Sequence, residues 1–194
     1  MSVAPDKPTP AGSPPDFKRR AVIGVAAVAA IGGAGLSWWR RQAQERARQL
    51  ADEAVSLFYQ QTLPDANGEV FRFEQLRGQQ VVVNFWATWC APCVEEMPEL
   101  SALATEMQST GTRFLGVGVD SQDAIARFSR RIPVSYPLVV ANATGAFLAA
   151  KFGNAVGGLP YTVVISPSGK VKKQILGRVT VDSLREVLKS ADLH

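Results

Sequence analysis

Cys90 and Cys93 are the only cysteines in the 194 residues, three positions apart in the stretch "NFWATWCAPCVEEMP". Thiols at i and i+3 meet on one side of a helical turn, where they can close a disulfide, share a metal or trade electrons with a partner. Structural zinc takes four ligands. The chain offers the two cysteines and one histidine, His194 at its last position, so no metal site is expected within it. Covalent haem attachment wants a histidine directly after the second cysteine, where Val94 stands. A structural bridge closing so short a loop restrains little of the unfolded chain. Two thiolates suffice for copper(I), which stays open beside redox exchange, the better supported chemistry.

The surroundings of the pair favour exchange. Cys90 lies where the apolar run Val81–Trp86 gives way to a helical pattern that carries Cys93. A helix N-terminus presents unpaired N–H groups and a positive dipole end, both of which favour a thiolate. Cys90 is therefore expected as the exposed attacking thiol and Cys93, one turn further in, as the resolving one. Between them Pro92 removes an N–H that would stabilise a thiolate, which points towards a reductant. Trp86 is expected in the core and Trp89 as a flat apolar platform for a partner.

The elements that must hold this pair follow from periodicity. "VVVNFW" and "RFLGVGV" read as strands buried on both faces, "YPLVV" as a short strand, and "TVVIS", "PSGK" and "VKKQIL" as an antiparallel hairpin. Met97, Leu100, Leu103 and Met107 keep helical spacing up to Gly111. A second helix, capped by Asp120 or Ser121, turns Ile125 and Phe128 inward, a third lies around 146–152, and Thr180 caps a fourth bearing Leu184, Val187 and Leu188. "NG" at Asn67-Gly68 reads as an earlier hairpin turn. The order β-α-β-α-β-α-β-β-α predicts a mixed sheet with helices on both sides.

Charge locates the rest of the organisation. Of 21 Lys/Arg and 17 Asp/Glu, 8 and 5 fall before Tyr59, leaving a nearly neutral 13 and 12 after it, so no nucleic-acid partner is expected. Residues 1–20 open with a proline-rich stretch and read as a disordered tail, which is cytoplasmic if the folded domain lies outside the membrane. The uncharged run 21–39, ending in Trp38-Trp39 and bounded by arginines, would span ~28 Å as a helix and reads as a single transmembrane anchor. A cleaved signal, leaving a soluble periplasmic protein, is the alternative. Arginine and lysine balance across the run, so charge is silent on orientation. Residues 40–58 read as a helical stalk with a weak apolar stripe at Ala47, Leu50, Ala54 and Leu57, and 59–194 as the folded domain.

"NFWATWCAPC" resembles the active-site segment of thioredoxin-like proteins, and the chain is similar to their membrane-anchored TlpA/ResA-type thiol-disulfide oxidoreductases over roughly 63–188. Pro98 matches the proline of their active-site helix, and Leu159-Pro160 matches a cis proline that faces the disulfide and lies beside backbone that pairs with the client. "LPDANGEVFRFEQLRGQ" matches their N-terminal hairpin, and the stretch 121–153 their inserted strand and helix. Ordinary thioredoxin carries a buried Asp where Asn84 stands, and Asn relays no proton. Glu96 matches the glutamate of the anchored branch, which implies an acid–base role towards Cys93; as an alternative it is one of three acids early in a helix, with Glu95 and Glu99. The resemblance implies catalytic Cys90, Cys93 and Glu96, a client surface at Trp89, Leu159 and Pro160, and no cofactor. It implies a periplasmic enzyme of the bacterial inner membrane that reduces disulfide-bearing clients, in cytochrome c maturation or copper-site assembly, and is recharged by a membrane dithiol carrier. A peroxiredoxin-like peroxidase is disfavoured, because Ala87 stands where its threonine would be.

Overall fold

The computed structural model describes residues 17–190, and of 17–35 the helical backbone only. Most of the tail expected over 1–20 and His194 fall outside the described residues, as do the side chains of most of the anchor expected over 21–39. Among the described residues no helix is long and apolar enough to cross a membrane. Packing divides the chain into two units, Met1–Arg46 and Ala47–His194. The first holds the N-terminal part of a long helix, α1 (Phe17–Tyr59).

The second unit is built on a five-stranded sheet. After a small hairpin of β1 (Thr62–Pro64) and β2 (Val70–Arg72) come β3 (Gln80–Trp86), α2 (Ala91–Met107), β4 (Thr112–Gly118) and α3 (Gln122–Arg131). Then follow β5 (Leu138–Val140), α4 (Asn142–Lys151), β6 (Tyr161–Ile165), β7 (Val171–Leu176) and α5 (Val181–Lys189). From β3 onward this is the predicted order. The sheet runs β5-β4-β3-β6-β7, with β3, β4 and β5 parallel and β6 antiparallel to both its neighbours. The stretch 121–153 thus holds two helices, α3 and α4, around one strand, β5.

Alternation along the strands explains the layers. From β3, Val82 and Trp86 join a core beneath α2, α3 and α5, while Val81, Val83 and Phe85 join a second core on the opposite face with α4. Asn84 stands in register between Gly116 of β4 and Thr162 of β6, on the α2 side, so a polar side chain is placed in the middle of the site-bearing face. The first hairpin turns at Asn67-Gly68, as predicted. Gly68 takes a φ of 88°, a conformation glycine adopts without cost, and Asp65 Oδ1 accepts from the N–H groups of Asn67 and Glu69. The hairpin is fastened to edge strand β5 by the Ala66 N–H donating to the Leu138 carbonyl at 2.9 Å. On the site-bearing face, Gly118 lets Ile125 of α3 sit directly on the sheet, against the space where a Cβ would stand.

The end of α1 departs from the stalk reading. Of the predicted stripe Ala54 is buried and Leu57 packs partly buried on the same core, joined by Val55, Phe58 and Tyr59, whereas Leu50 is 62% exposed. Phe58 is enclosed, edge-on to Tyr59, Phe73 and Phe152 with ring centroids 4.9–6.0 Å apart. The last turns of α1 are therefore a wall of the second core, and the folded unit begins near Ala47 rather than Tyr59. Asp52–Lys170 and Glu53–Lys151 ion pairs, both exposed, add little beside this burial. Phe58→Ala should lower unfolding free energy by about 3–5 kcal/mol. Ser56→Ala, on the exposed face of the same turn, should change it by no more than about 0.5 kcal/mol. Urea denaturation of the two variants checks this, and equal effects would show that the helix end is not part of the fold.

Candidate active site

The cysteines are held by a pinned strand-to-helix turn. β3 ends at Trp86, whose carbonyl accepts from Val119 N–H at 2.8 Å, and the chain then turns through Ala87, Thr88 and Trp89 to Cys90, the N-cap of α2. Cys90 N–H donates back to the Ala87 carbonyl at 3.2 Å, and its own carbonyl accepts from Val94 N–H at 3.1 Å. Thr88 donates through both its backbone N–H and its hydroxyl to Asp120, at the end of β4. Partial burial works to raise the Asp120 pKa, but hydrogen bonds from Thr88 and Ser121 and the charge of Arg127 outweigh it and hold the carboxyl below its usual range. An ionised Asp120 thus fastens the loop in front of Cys90. Pro92 occupies the first turn of α2, where its missing N–H costs nothing, and Pro98 sits inside the helix.

Cys90 and Cys93 form a disulfide with Cα atoms 5.3 Å apart. Cys90 was expected exposed; it retains 6% of its surface and Cys93 none. Both sulfurs are therefore mostly covered, and an approaching partner meets Cys90 first. Cys93 begins the buried stripe of α2, which continues through Glu96, Met97, Leu100, Leu103, Ala104 and Met107.

That stripe carries a carboxylate into an otherwise apolar layer. Glu96 is fully buried. Its Oε1 accepts from Asn84 Nδ2 at 2.8 Å and its Oε2 from Val179 N–H at 3.0 Å. Asn84 Nδ2 also donates to Thr162 Oγ1 at 3.1 Å. Glu95 and Glu99 lie on the exposed side of the helix, where both pair with Arg178. The structure thus separates the three acids that the sequence sets side by side. Burial, the largest influence, pushes the Glu96 carboxyl above its ordinary value of 4.5; the hydrogen bonds from Val179 and Asn84 and the charge of Arg178 pull against it without cancelling it. Tyr136, not singled out from sequence, is buried in the same layer, and burial, then the Glu96 charge, keeps its hydroxyl neutral far above 10. Among the described residues the buried Tyr136 hydroxyl, Trp86 Nε1 and Asn84 Oδ1 have no hydrogen-bond partner. Three uncommitted polar atoms on the face beneath the disulfide are unusual for an apolar core.

The remaining predicted residues differ in exposure. Trp89 is 71% exposed, whereas Trp86 is enclosed. The Leu159-Pro160 peptide bond is cis. Leu159 packs against the cluster that contains both cysteines, and Pro160 is buried. Just before them, Asn154 spends its amide on both backbone groups of Gly158, at 2.8 and 3.1 Å. Val156 and Leu176 add exposed apolar surface to this side. The roles of Val179 towards Glu96 and of Asp120 towards Thr88 carried no signal in the sequence, because each acts through a partner distant along the chain.

The raised Glu96 pKa has a stability consequence. The unfolded chain loses this proton near 4.5 while the folded protein retains it, so the group costs nothing at low pH and destabilises the fold as pH rises from 4.5 through the folded-state value. Glu96→Gln has no proton to lose. The urea midpoint of Glu96→Gln relative to wild type, both with the disulfide intact, should rise between pH 4.5 and pH 7.5. A difference independent of pH would show that the carboxyl titrates normally.

Comparison with known proteins agrees with this geometry. A family model described as the AhpC/TSA family matches residues 56–174. The thiol-disulfide oxidoreductase ResA of Geobacillus thermodenitrificans is 36% identical over 129 residues, 66% of this chain and 72% of that protein. ResA of Bacillus subtilis is 32% identical over 127 residues, 65% and 69% of the two chains. Among solved structures, a thioredoxin-related protein from Neisseria meningitidis serogroup B superposes with a TM-score of 0.59, at 32% identity over 66% of this chain and 96% of that one. A cysteine pair closed into a disulfide at the head of a helix, on a mixed sheet of this topology and with relatives of this kind, leaves one assignment: the chain belongs to the AhpC/TSA family, as a thioredoxin-like thiol-disulfide oxidoreductase of the ResA type.

Proposed function

We propose that this oxidoreductase works on the outer side of the cytoplasmic membrane as a reductant of client disulfides. The observation that carries the reading is a Cys90 reachable from the surface, bonded to a Cys93 that is not, with a buried carboxylate one turn further along the same helix face. In the reduced enzyme the Cys90 thiolate attacks one sulfur of a client disulfide. The client S–S bond breaks, one client thiolate leaves and takes up a proton, and Cys90 is held in a mixed disulfide. Glu96 takes the Cys93 proton, the Cys93 thiolate attacks the Cys90 sulfur, the Cys90–client bond breaks, and the second client sulfur departs as a thiolate that takes up the proton held by Glu96. Two electrons and two protons have passed to the client, and the enzyme is left as the disulfide. A membrane dithiol carrier returns both. Buried carboxyls with raised pKa values suit such a transfer near neutrality, and the Glu96 shift supports the role.

Trp89, Leu159 and Pro160 are proposed as the client surface. Leu159 supports this, since among the described residues its backbone takes part in no hydrogen bond, unlike that of Gly158 beside it. Apocytochrome c cysteines or a copper-site assembly factor are the proposed clients. Residues 21–39 are proposed as the membrane anchor, which leaves the N-terminal tail in the cytoplasm; their uncharged run between arginines supports this.

Reduced Cys93→Ser protein should accumulate mixed disulfides through Cys90, identifiable by mass spectrometry after non-reducing capture, while Cys90→Ser should accumulate none. Capture by Cys90→Ser in place of Cys93→Ser would reverse the assigned order of attack, and capture by neither would remove the exchange reading. For the topology, alkaline phosphatase fused after His194 should be active, since it folds only outside the cytoplasm. An inactive fusion beside an active cytoplasmic reporter at the same site would place the catalytic unit inside.

A further inference from the structure

A second feature lies beside the disulfide, on the flank facing α3. A surface pocket of about 240 Å³ is lined by Thr88, Val94, Ala124, Arg127, Phe128 and Arg131. Two of these are tied to the cysteines by sequence and hydrogen bonding. Thr88 is two residues before Cys90, and Val94 follows Cys93 and donates its N–H to the Cys90 carbonyl. Its apolar lining residues are Val94, Ala124 and the buried Phe128. Its charge comes from Arg127 and Arg131, which stand four residues apart and so share one face of α3. We propose that this pocket is a carboxylate subsite, in which Arg127 and Arg131 take an acidic side chain of the client segment lying across Cys90.

Charge distribution carries the argument. The folded body is nearly neutral, so a local excess reflects placement rather than overall composition. On the far flank of α2, Glu95 and Glu99 are matched by Arg178. On the α3 flank, among the described residues, neither Arg127 nor Arg131 forms a salt bridge. Asp120 is the acid whose charge reaches Arg127, and its oxygens are committed elsewhere, Oδ2 to Thr88 and Oδ1 to the Ser121 N–H at 2.7 Å. The guanidinium donors are therefore free to grip a carboxylate from outside, which arginine does in a fixed planar fork. The pocket is also rigidly referenced to the cysteines. Thr88 is fastened to Asp120, Ser121 caps α3 through the Ala124 N–H, and Ile125 seats α3 on Gly118. A client acid bound there would orient the neighbouring target cysteine over Cys90.

The inference rests on the exchange reading, and two measurements keep them separable. The first uses the reduced full chain in single-turnover reduction of three disulfide peptides that differ only in a Glu, Gln or Lys near the target cysteine. Reduction of the Gln peptide reads exchange itself. The Glu-to-Gln rate ratio reads the subsite, and it should be about threefold to tenfold in wild type, with the Lys peptide slowest. The second measures binding of the same peptides, with the target cysteines replaced by serine, to the oxidised protein through Trp fluorescence, and needs no turnover. The Glu preference should fall to about one in Arg127→Gln/Arg131→Gln and survive in part in Arg127→Lys/Arg131→Lys, where the charge remains but the fork is lost. Equal binding of Glu and Gln peptides to wild type, or a Glu preference that persists in the double Gln variant, would overturn the proposal.

Discussion

A carboxylate buried directly behind the disulfide is the constraint around which the site is organised. An isolated charge in an apolar layer is costly, so Glu96 is tolerated only because donors reach both of its oxygens and because its pKa rises. Those donors come from β3 and from the approach to α5, and Asn84 is itself bonded to Thr162 of β6. One acid therefore ties the active-site helix to the two central strands and to the loop before the last helix. The same bonds that make its burial possible fix the helix that carries both cysteines.

The two faces of the sheet divide the work. The core beneath α4 and the end of α1 is apolar and aromatic, with Phe58, Phe73, Phe85 and Phe152 packed at angles to one another. The opposite core is where buried polar groups gather: Asn84, Glu96, and the uncommitted atoms of Trp86 and Tyr136. Stability concentrated on one face leaves the other free to carry groups that a packed core would exclude. The flanks of α2 differ as well, with acids matched by Arg178 on one side and arginines without a partner acid on the other.

Much of this was legible in the sequence, and the failures share a physical cause. The strands could be read because those buried on both faces are continuous apolar runs, and the Asn67-Gly68 turn because its conformation suits glycine. Cys90, Cys93 and the exposed Trp89 followed from residue type and position. The cis bond at Leu159-Pro160 was available only through resemblance, since spacing alone cannot tell one isomer from the other. Glu96 was set apart from Glu95 and Glu99 only through resemblance, although its place on the Cys93–Met97–Leu100 stripe is a signal of burial present in the sequence itself. On α1 the predicted stripe holds at Ala54 and Leu57 and fails at Leu50, because only the last turns meet the core, which the helix's own periodicity does not reveal. Val179, Asp120 and Arg127 were out of reach because their parts arise from contacts between residues far apart in the chain.

The central claim is that an electron-passing pair is served by the acid behind it, and one rate tests this most directly. With Cys90 loaded as a mixed disulfide with a small chromogenic thiol, stopped-flow absorbance follows release of that thiol by Cys93 across the pH range. Assistance from Glu96 predicts a rate that climbs above the ordinary carboxylate value and levels off below the ordinary thiol value of about 8.5. A rate that keeps rising to a midpoint at or above about 8.5 would show an unassisted thiol and contradict the account.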